Sequence, residues 1–269
     1  NLKSQSAIQT MIKHGMLVTK RVTRIEAQWL KHSQSFSIPD KLTDEQQNVL
    51  DAIAKTMRNG YSSHLLHGVT GSGKTEVYIQ LIMRAIEQGG SALILVPEIS
   101  LTPQTAARLI SRFPNQKVAI LHSTLTRAQR HQQWALISEG KADIILGVRS
   151  AVFAPIPEGK LKLVIVDEEH ESSYKQDSAP RYNGRDIAIR RAWMAKCPIV
   201  LGSATPSMES WWNATVRNIS SMHTLKHRAP GLVIPRIEII NMKHEFTDDG
   251  QDFALFSDRL VEAIKTTID

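Results

Sequence analysis

Six short apolar runs recur between polar, helix-forming stretches: Leu65-Leu66, Ala92-Leu93-Ile94-Leu95-Val96, Val118-Ala119-Ile120-Leu121, Ile144-Ile145-Leu146, Leu163-Val164-Ile165-Val166 and Ile199-Val200-Leu201. Each run is continuous rather than alternating, as expected of a strand covered by helices on both faces. The repeated strand–helix order predicts an α/β fold built on a doubly wound parallel sheet. In such a sheet ligands gather at the carboxyl ends of the strands.

The flanks have a different texture. Ile8, Met11 and Ile12 fall at helical spacing, Gly15 is a helix stop, and Met16-Leu17-Val18 reads as a short strand. Residues 1–32 are therefore the tail of a winged-helix-like DNA-binding module or a generic helix and turn. Residues 33–41, with Ser, Pro and Asp, form the expected linker, and residues 42–225 the main domain. Beyond it, Arg228-Ala229-Pro230-Gly231 and Pro235 are hinge-like, Ile237-Glu238-Ile239-Ile240 is expected as a strand, and residues 257–268 as a capped helix. Residues 226–269 thus read as the start of a second domain that stops, at Asp269, before it closes a core.

Composition narrows the setting. The 269 residues are 42% hydrophobic and 22% charged, an ordinary globular balance. No apolar run reaches the roughly 18 residues of a membrane span, and the first residues lack the layout of a secretion signal. The expectation is a cytoplasmic protein with no membrane contact. Cys197 is the one cysteine, so this chain cannot by itself build a disulfide framework or a Cys-based zinc site. The net charge of +7 suits a polyanion. Much of it lies early: Lys3, Lys13, Lys20, Arg21, Arg24 and Lys31 face one acid, Glu26, within residues 1–32.

Gly68-Val69-Thr70-Gly71-Ser72-Gly73-Lys74-Thr75 fits the phosphate-loop pattern G-x-x-x-x-G-K-[ST] between an apolar run and an amphipathic one. Glycines let backbone N–H groups approach phosphate oxygens, and the following helix presents its positive end. Lys74 is expected on the β and γ phosphates, and Thr75 on Mg²⁺, which prefers hard oxygen ligands. Val164-Ile165-Val166-Asp167-Glu168-Glu169-His170 puts acids directly after a strand. Beside a phosphate loop, Asp167 can hold the Mg²⁺ and Glu168 can orient or deprotonate the attacking water.

Taken with Val96-Pro97-Glu98-Ile99-Ser100-Leu101-Thr102-Pro103-Gln104, Gly147-Val148-Arg149-Ser150-Ala151 and Gly202-Ser203-Ala204-Thr205-Pro206, the set resembles the first, RecA-like lobe of superfamily 2 helicases. Within them it is similar to the bacterial replication-restart helicases, strongly over residues 40–215. The resemblance implies ATP with Mg²⁺ as cofactors and Gln46 as an adenine contact. It implies Thr102, Arg149 and Ser150 on a single-strand track that grips phosphates without reading bases. The stretch 172–182 resembles an aromatic-rich loop that reports bound DNA to the ATP site, with Tyr174, Lys175 and Tyr182 on DNA and Gln176 in coupling. No tryptophan stands between Gln176 and Tyr182, so stacking falls to the tyrosines. Ser203 and Thr205 resemble the motif linking hydrolysis to lobe movement, with His170 as hydrogen-bond partner.

The function so implied is that of an ATP-driven 3′-to-5′ DNA helicase acting on single-stranded and forked DNA in replication restart, alongside primosome and single-strand-binding proteins. The resemblance also implies parts outside this chain: an N-terminal module for a nascent 3′ end, zinc-binding cysteines, and the rest of a second lobe with its arginine finger. Two rivals remain open at this point. One is another superfamily 2 translocase, of branch-migration or restriction type; the other is a nucleotide- and DNA-binding module inactive by itself.

Overall fold

A computed structural model describes residues 13, 41–101, 103–228, 237–242 and 256–268. Chain contacts divide it into Asn1–Pro230 and Gly231–Asp269. The expected winged-helix tail and linker lie outside the described residues except for Lys13 and Lys41, as does Thr102.

The larger unit opens with α1 (Asp44–Thr56), whose start is fixed by a capping box: the Thr43 hydroxyl accepts from Gln46 N–H, and the Gln46 side chain accepts from Thr43 N–H. There follow β1 (Ser63–Gly68), α2 (Lys74–Glu87), β2 (Ser91–Leu95), α3 (Pro103–Ser111), β3 (Val118–Leu121), α4 (Arg127–Ser138), β4 (Ile144–Gly147) and β5 (Leu161–Val166). A two-stranded ribbon, β6 (Lys175–Gln176) with β7 (Tyr182–Asn183), leads to α5 (Gly184–Ala195), β8 (Ile199–Ser203), α6 (Met208–Thr215) and β9 (Ser221–Leu225).

Seven strands form one parallel sheet in the order β3-β4-β2-β5-β8-β1-β9. All six apolar runs are strands of it. Alternate residues of each strand enter two separate cores, which is why the runs read as unbroken. Leu66, Ile94, Ile144, Ile165 and Val200 pack with Val49, Ile53, Val77 and Leu81 of α1 and α2. Leu65, Leu93, Ile145, Val164 and Leu201 pack with Ile137, Ala188, Ala192 and Ala214 of α4, α5 and α6. β9 was not foreseen, because Ser221-Met222-His223-Thr224-Leu225 is too polar to read as a covered strand. Its first four residues, exposed to half-buried, fit its place at the sheet edge, while Leu225 is buried.

In the smaller unit the expected helix forms as α7 (Asp258–Ile268), with the Ser257 hydroxyl accepting from Leu260 N–H. The strand expected at Ile237-Glu238-Ile239-Ile240 is corrected: these residues have no regular structure, and Ile237 and Ile239 are 83% and 94% exposed. A strand forms only where a neighbour takes its backbone groups and a core takes its side chains. Among the described residues no helix is long and apolar enough to cross a membrane.

Candidate nucleotide site and single-strand cleft

Every stretch singled out for chemistry and described here follows the carboxyl end of a sheet strand, apart from Gln46 and the β6–β7 loop. The phosphate loop joins β1 to α2. Gly73 caps α2 at φ +83°, a left-handed conformation that favours glycine, and an added Cβ there would sit 2.2 Å from Gln46 Nε2. The cap offers no side-chain acceptor. Among the described residues the N–H groups of Gly73, Lys74 and Thr75 find no protein acceptor, and the buried Ser72 hydroxyl has no partner. A row of unmet donors at a helix start is an anion cradle, and a phosphate chain fits it.

Lys74, its side chain 9% exposed, donates from Nζ to the Gly68 carbonyl at 2.9 Å and lies 3.6 Å from Glu168 Oε1. Residues 94 positions apart in sequence thus meet at the cradle, Lys74 from α2 and Glu168 from the turn after β5. Glu168 holds a left-handed φ of +44°, costing about 1–2 kcal/mol in a residue with a side chain. Strain of this kind clusters at functional positions.

Asp167 accepts from the Tyr78 hydroxyl at 2.9 Å, while the Tyr174 hydroxyl donates to its backbone carbonyl at 2.7 Å. Burial pushes the Asp167 carboxyl above the usual range, the Glu168 charge adds to that, and the Tyr78 hydrogen bond and Lys74 pull against it. A bound cation would favour the ionised form. Thr75 is exposed at the same loop. Among the described residues no three His, Cys, Asp or Glu side chains are grouped to hold a metal, so a cation here would take oxygens from Thr75, Asp167 and phosphates together.

Tyr78 reaches Asp167 only because Gly202 of β8 has no side chain: a Cβ there would sit 1.6 Å from the Tyr78 hydroxyl. His170 joins the acidic turn to the loop after β8, with Nδ1 2.8 Å from Ser203 Oγ and Nε2 3.3 Å from Thr205 Oγ1. The expected hydrogen bond of His170 to this loop is therefore present.

The neighbouring Glu169, which had no assigned role, is 2% exposed. Its carboxylate accepts from Ser207 N–H at 2.7 Å, Ser210 Oγ at 2.8 Å, Ser207 Oγ at 3.0 Å and Arg185 at 3.1 Å. Arg185 also pairs with Asp186 and Glu209. This network clamps the acidic turn to the start of α6 and so holds residues 203–205 beside it. The four consecutive polar residues 167–170 carry no sequence sign of which one is buried.

Gln46 is 4% exposed rather than a surface residue, and its amide is engaged: Nε2 donates to Ser72 carbonyl at 2.9 Å and Oε1 serves the α1 cap. It buttresses the phosphate loop directly.

The DNA-facing candidates separate. Tyr174 as a base-stacking residue is corrected: it is 1% exposed, packed among Leu65, Val164 and Ala188, with its hydroxyl tied to Asp167. A ring already covered by core atoms has no face to offer a base. Tyr182 is half-buried, edge-on to Phe153 at 5.1 Å, with the Arg149 guanidinium 5.7 Å from its centroid. Arg149 donates to the carbonyls of Lys175 at 2.7 Å and Ser173 at 3.2 Å, holding the 172–182 loop. Lys175 is exposed and 3.7 Å from Asp177; Gln176 donates to the Pro180 carbonyl at 3.0 Å. Arg149, Ser150, Gln176 and Tyr182 line one cleft of about 210 Å³ beyond β3 and β4, together with Glu98 and Trp134. Trp134 went unnoticed in the sequence because it sits mid-helix, outside every motif.

A parallel sheet with a phosphate loop after β1, acids after β5 and a hydroxyl loop after β8 is a RecA-like P-loop helicase fold. Residues 43–211 match the family described as DEAD/DEAH box helicase, and the chain belongs to that family. Along nearly its whole length it is similar to the replication restart protein PriA: 40% identical to that of Bacillus subtilis over 98% of this chain and 32% of the relative. It is 41% identical to that of Haemophilus influenzae over 78% of this chain and 28% of the relative. The chain spans about a third of the length of these curated relatives. Among solved structures, RecG bound to a three-way DNA junction matches with a TM-score of 0.54 and 24% identity, covering 84% of this chain and 29% of that one. The helicase MrfA bound to DNA matches at 0.50 and 17%, covering 74% and 27%. Both likenesses concern the fold.

Proposed function

We propose that the chain is the first motor lobe of an ATP-driven, 3′-to-5′ DNA helicase acting in replication restart. Residues 68–75 hold the triphosphate, with Lys74 on its outer phosphates; Thr75 and Asp167 hold Mg²⁺. Glu168 orients the attacking water, and His170, Ser203 and Thr205 carry the result toward the second lobe. Gln46 contacts adenine by exchanging its bond to Ser72, and Thr102, Arg149, Ser150, Lys175 and Tyr182 face the single strand, with Gln176 in coupling. The observation that carries this reading is the glycine cradle of unmet N–H donors with Lys74 Nζ 3.6 Å from Glu168 Oε1. It supports binding of a polyphosphate with a carboxylate poised beside it.

Similarity to replication restart proteins supports the setting, a cytoplasmic one at forked DNA. Zinc, primosome proteins and single-strand-binding protein belong to the same reading, as partners of the longer protein. The test is steady-state ATPase activity with and without single-stranded DNA. Glu168→Gln should still bind ATP while turnover falls by ~10²–10⁴. Lys74→Ala should lose ATP binding; because the Lys74 side chain is 9% exposed, circular dichroism checks that the variant is folded. A folded Lys74→Ala protein with unchanged turnover would sink the assignment. Direction is read by strand displacement from 3′- and 5′-tailed duplexes with the longer protein.

A further inference from the structure

The cleft beyond β3 and β4 is built for a ring rather than for a phosphate. Its wall on α4 is Trp134, 40% exposed, whose indole N–H has no acceptor among the described residues. The helix bearing it is held in place: the neighbouring Gln133 accepts from Ile120 N–H at 2.9 Å, and Ile137, one turn on, is 1% exposed. The indole is therefore presented by a rigid element, at little cost in ordering. The cleft is also lined by Glu98, whose Oε1 accepts from Ser123 at 2.6 Å while Oε2 accepts no hydrogen bond among the described residues. A carboxylate repels a phosphate but accepts a hydrogen bond from an exocyclic amine. The Ser173 hydroxyl lines the same cleft, buried and without a partner among the described residues, and a ligand's edge would satisfy it. Arg149 donates through Nη1 to two carbonyls of the 172–182 loop, while Arg130, exposed and unpaired among the described residues, sits at the cleft for a backbone phosphate. At about 210 Å³ the space is below the ~300 Å³ at which pockets for larger ligands begin.

We propose that this cleft takes one unpaired nucleobase of a DNA single strand, stacked on Trp134, with Glu98 favouring bases that carry an exocyclic amine. This rests on the single-strand reading above and adds to it a base contact on a track otherwise expected to grip the backbone alone. The amine preference makes one position along the strand weakly selective for cytosine or adenine over thymine.

The test is fluorescence anisotropy with labelled 15-mers of deoxycytidine, of thymidine, and of abasic sugar-phosphate, against the wild-type chain and three variants. Stacking on an aromatic ring contributes enough that Trp134→Ala should weaken deoxycytidine binding about 5-fold or more. Abasic binding should be unchanged, and Trp134→Phe should restore most of the loss. Glu98→Ala should reduce the ratio between deoxycytidine and thymidine strands, whatever it does to both. Equal effects of Trp134→Ala on based and abasic strands, or none on either, overturn the pocket while leaving the DNA reading intact. A chain that binds none of the three strands overturns both. Far-UV circular dichroism of each variant confirms that a loss is not a loss of fold.

Discussion

Glu168 and Glu169 are adjacent acids with opposite environments, and replacing each tests the division of labour between them. Glu169→Ala removes four hydrogen bonds from a carboxylate that is 2% exposed and takes from the buried Arg185 one of its three acidic partners. Breaking a buried ion pair costs about 3–5 kcal/mol. Arg185 keeps Asp186 and Glu209, whose side chains are 59% and 75% exposed, so the lower end applies, about 3 kcal/mol. For a domain of this size that lowers the melting temperature by roughly 6–12 °C. Glu168→Gln is different in kind. Its side chain is 31% exposed, its ion pair with Lys74 is open to screening, and its left-handed backbone is unchanged by the swap, so stability should shift by less than ~1 kcal/mol. Urea denaturation followed by circular dichroism gives both numbers, and an ATPase assay on the same samples gives turnover. Equal stability losses, or a loss below ~1 kcal/mol for Glu169→Ala, would refute the buried clamp.

Tyr174→Ala should destabilise the chain by about 3–5 kcal/mol, as for a buried aromatic, whereas Tyr182→Ala should leave the fold intact and blunt stimulation of the ATPase by DNA; the reverse pattern in denaturation would contradict their burial. Burial, with a smaller contribution from the neighbouring His223, lowers His64 to about 4; His223 is itself lowered by burial. A histidine depressed in the fold binds more protons unfolded, so its contribution is present above the unfolded value near 6.5 and is lost as pH falls toward 4. The His64 share is about 3 kcal/mol. Urea midpoints between pH 7 and 4 should show this loss, and His64→Gln should flatten it. On the function proposed above, the isolated chain should hydrolyse ATP far more slowly than the longer protein, because a second lobe would supply an arginine that contributes ~10³–10⁵ in rate. Comparable turnover numbers with saturating single-stranded DNA would mean that residues 1–269 hold a complete site.

What the linear chain determined are the features set by short-range chemistry. The phosphate loop is legible because a tight anion-binding turn needs its glycines at fixed spacing, and the strands because double coverage demands unbroken apolar runs. Acids directly after such a strand are placed at the sheet's carboxyl end by the topology, so the position of Asp167 and Glu168 beside the phosphate loop was legible without coordinates. Tertiary structure alone decided the rest, because burial depends on which distant segment arrives. Tyr174 and Tyr182 share a residue type and a loop, yet only the first is roofed by α5 and the strands. The bond from Gln46 to the Ser72 carbonyl has no local sign and forms only because α1 docks against the phosphate loop. Glu169 is buried by the arrival of Arg185 and Ser207, from 16 and 38 positions away. Trp134 gains its place from α4 packing beside β3, a contact that no local pattern of the chain encodes.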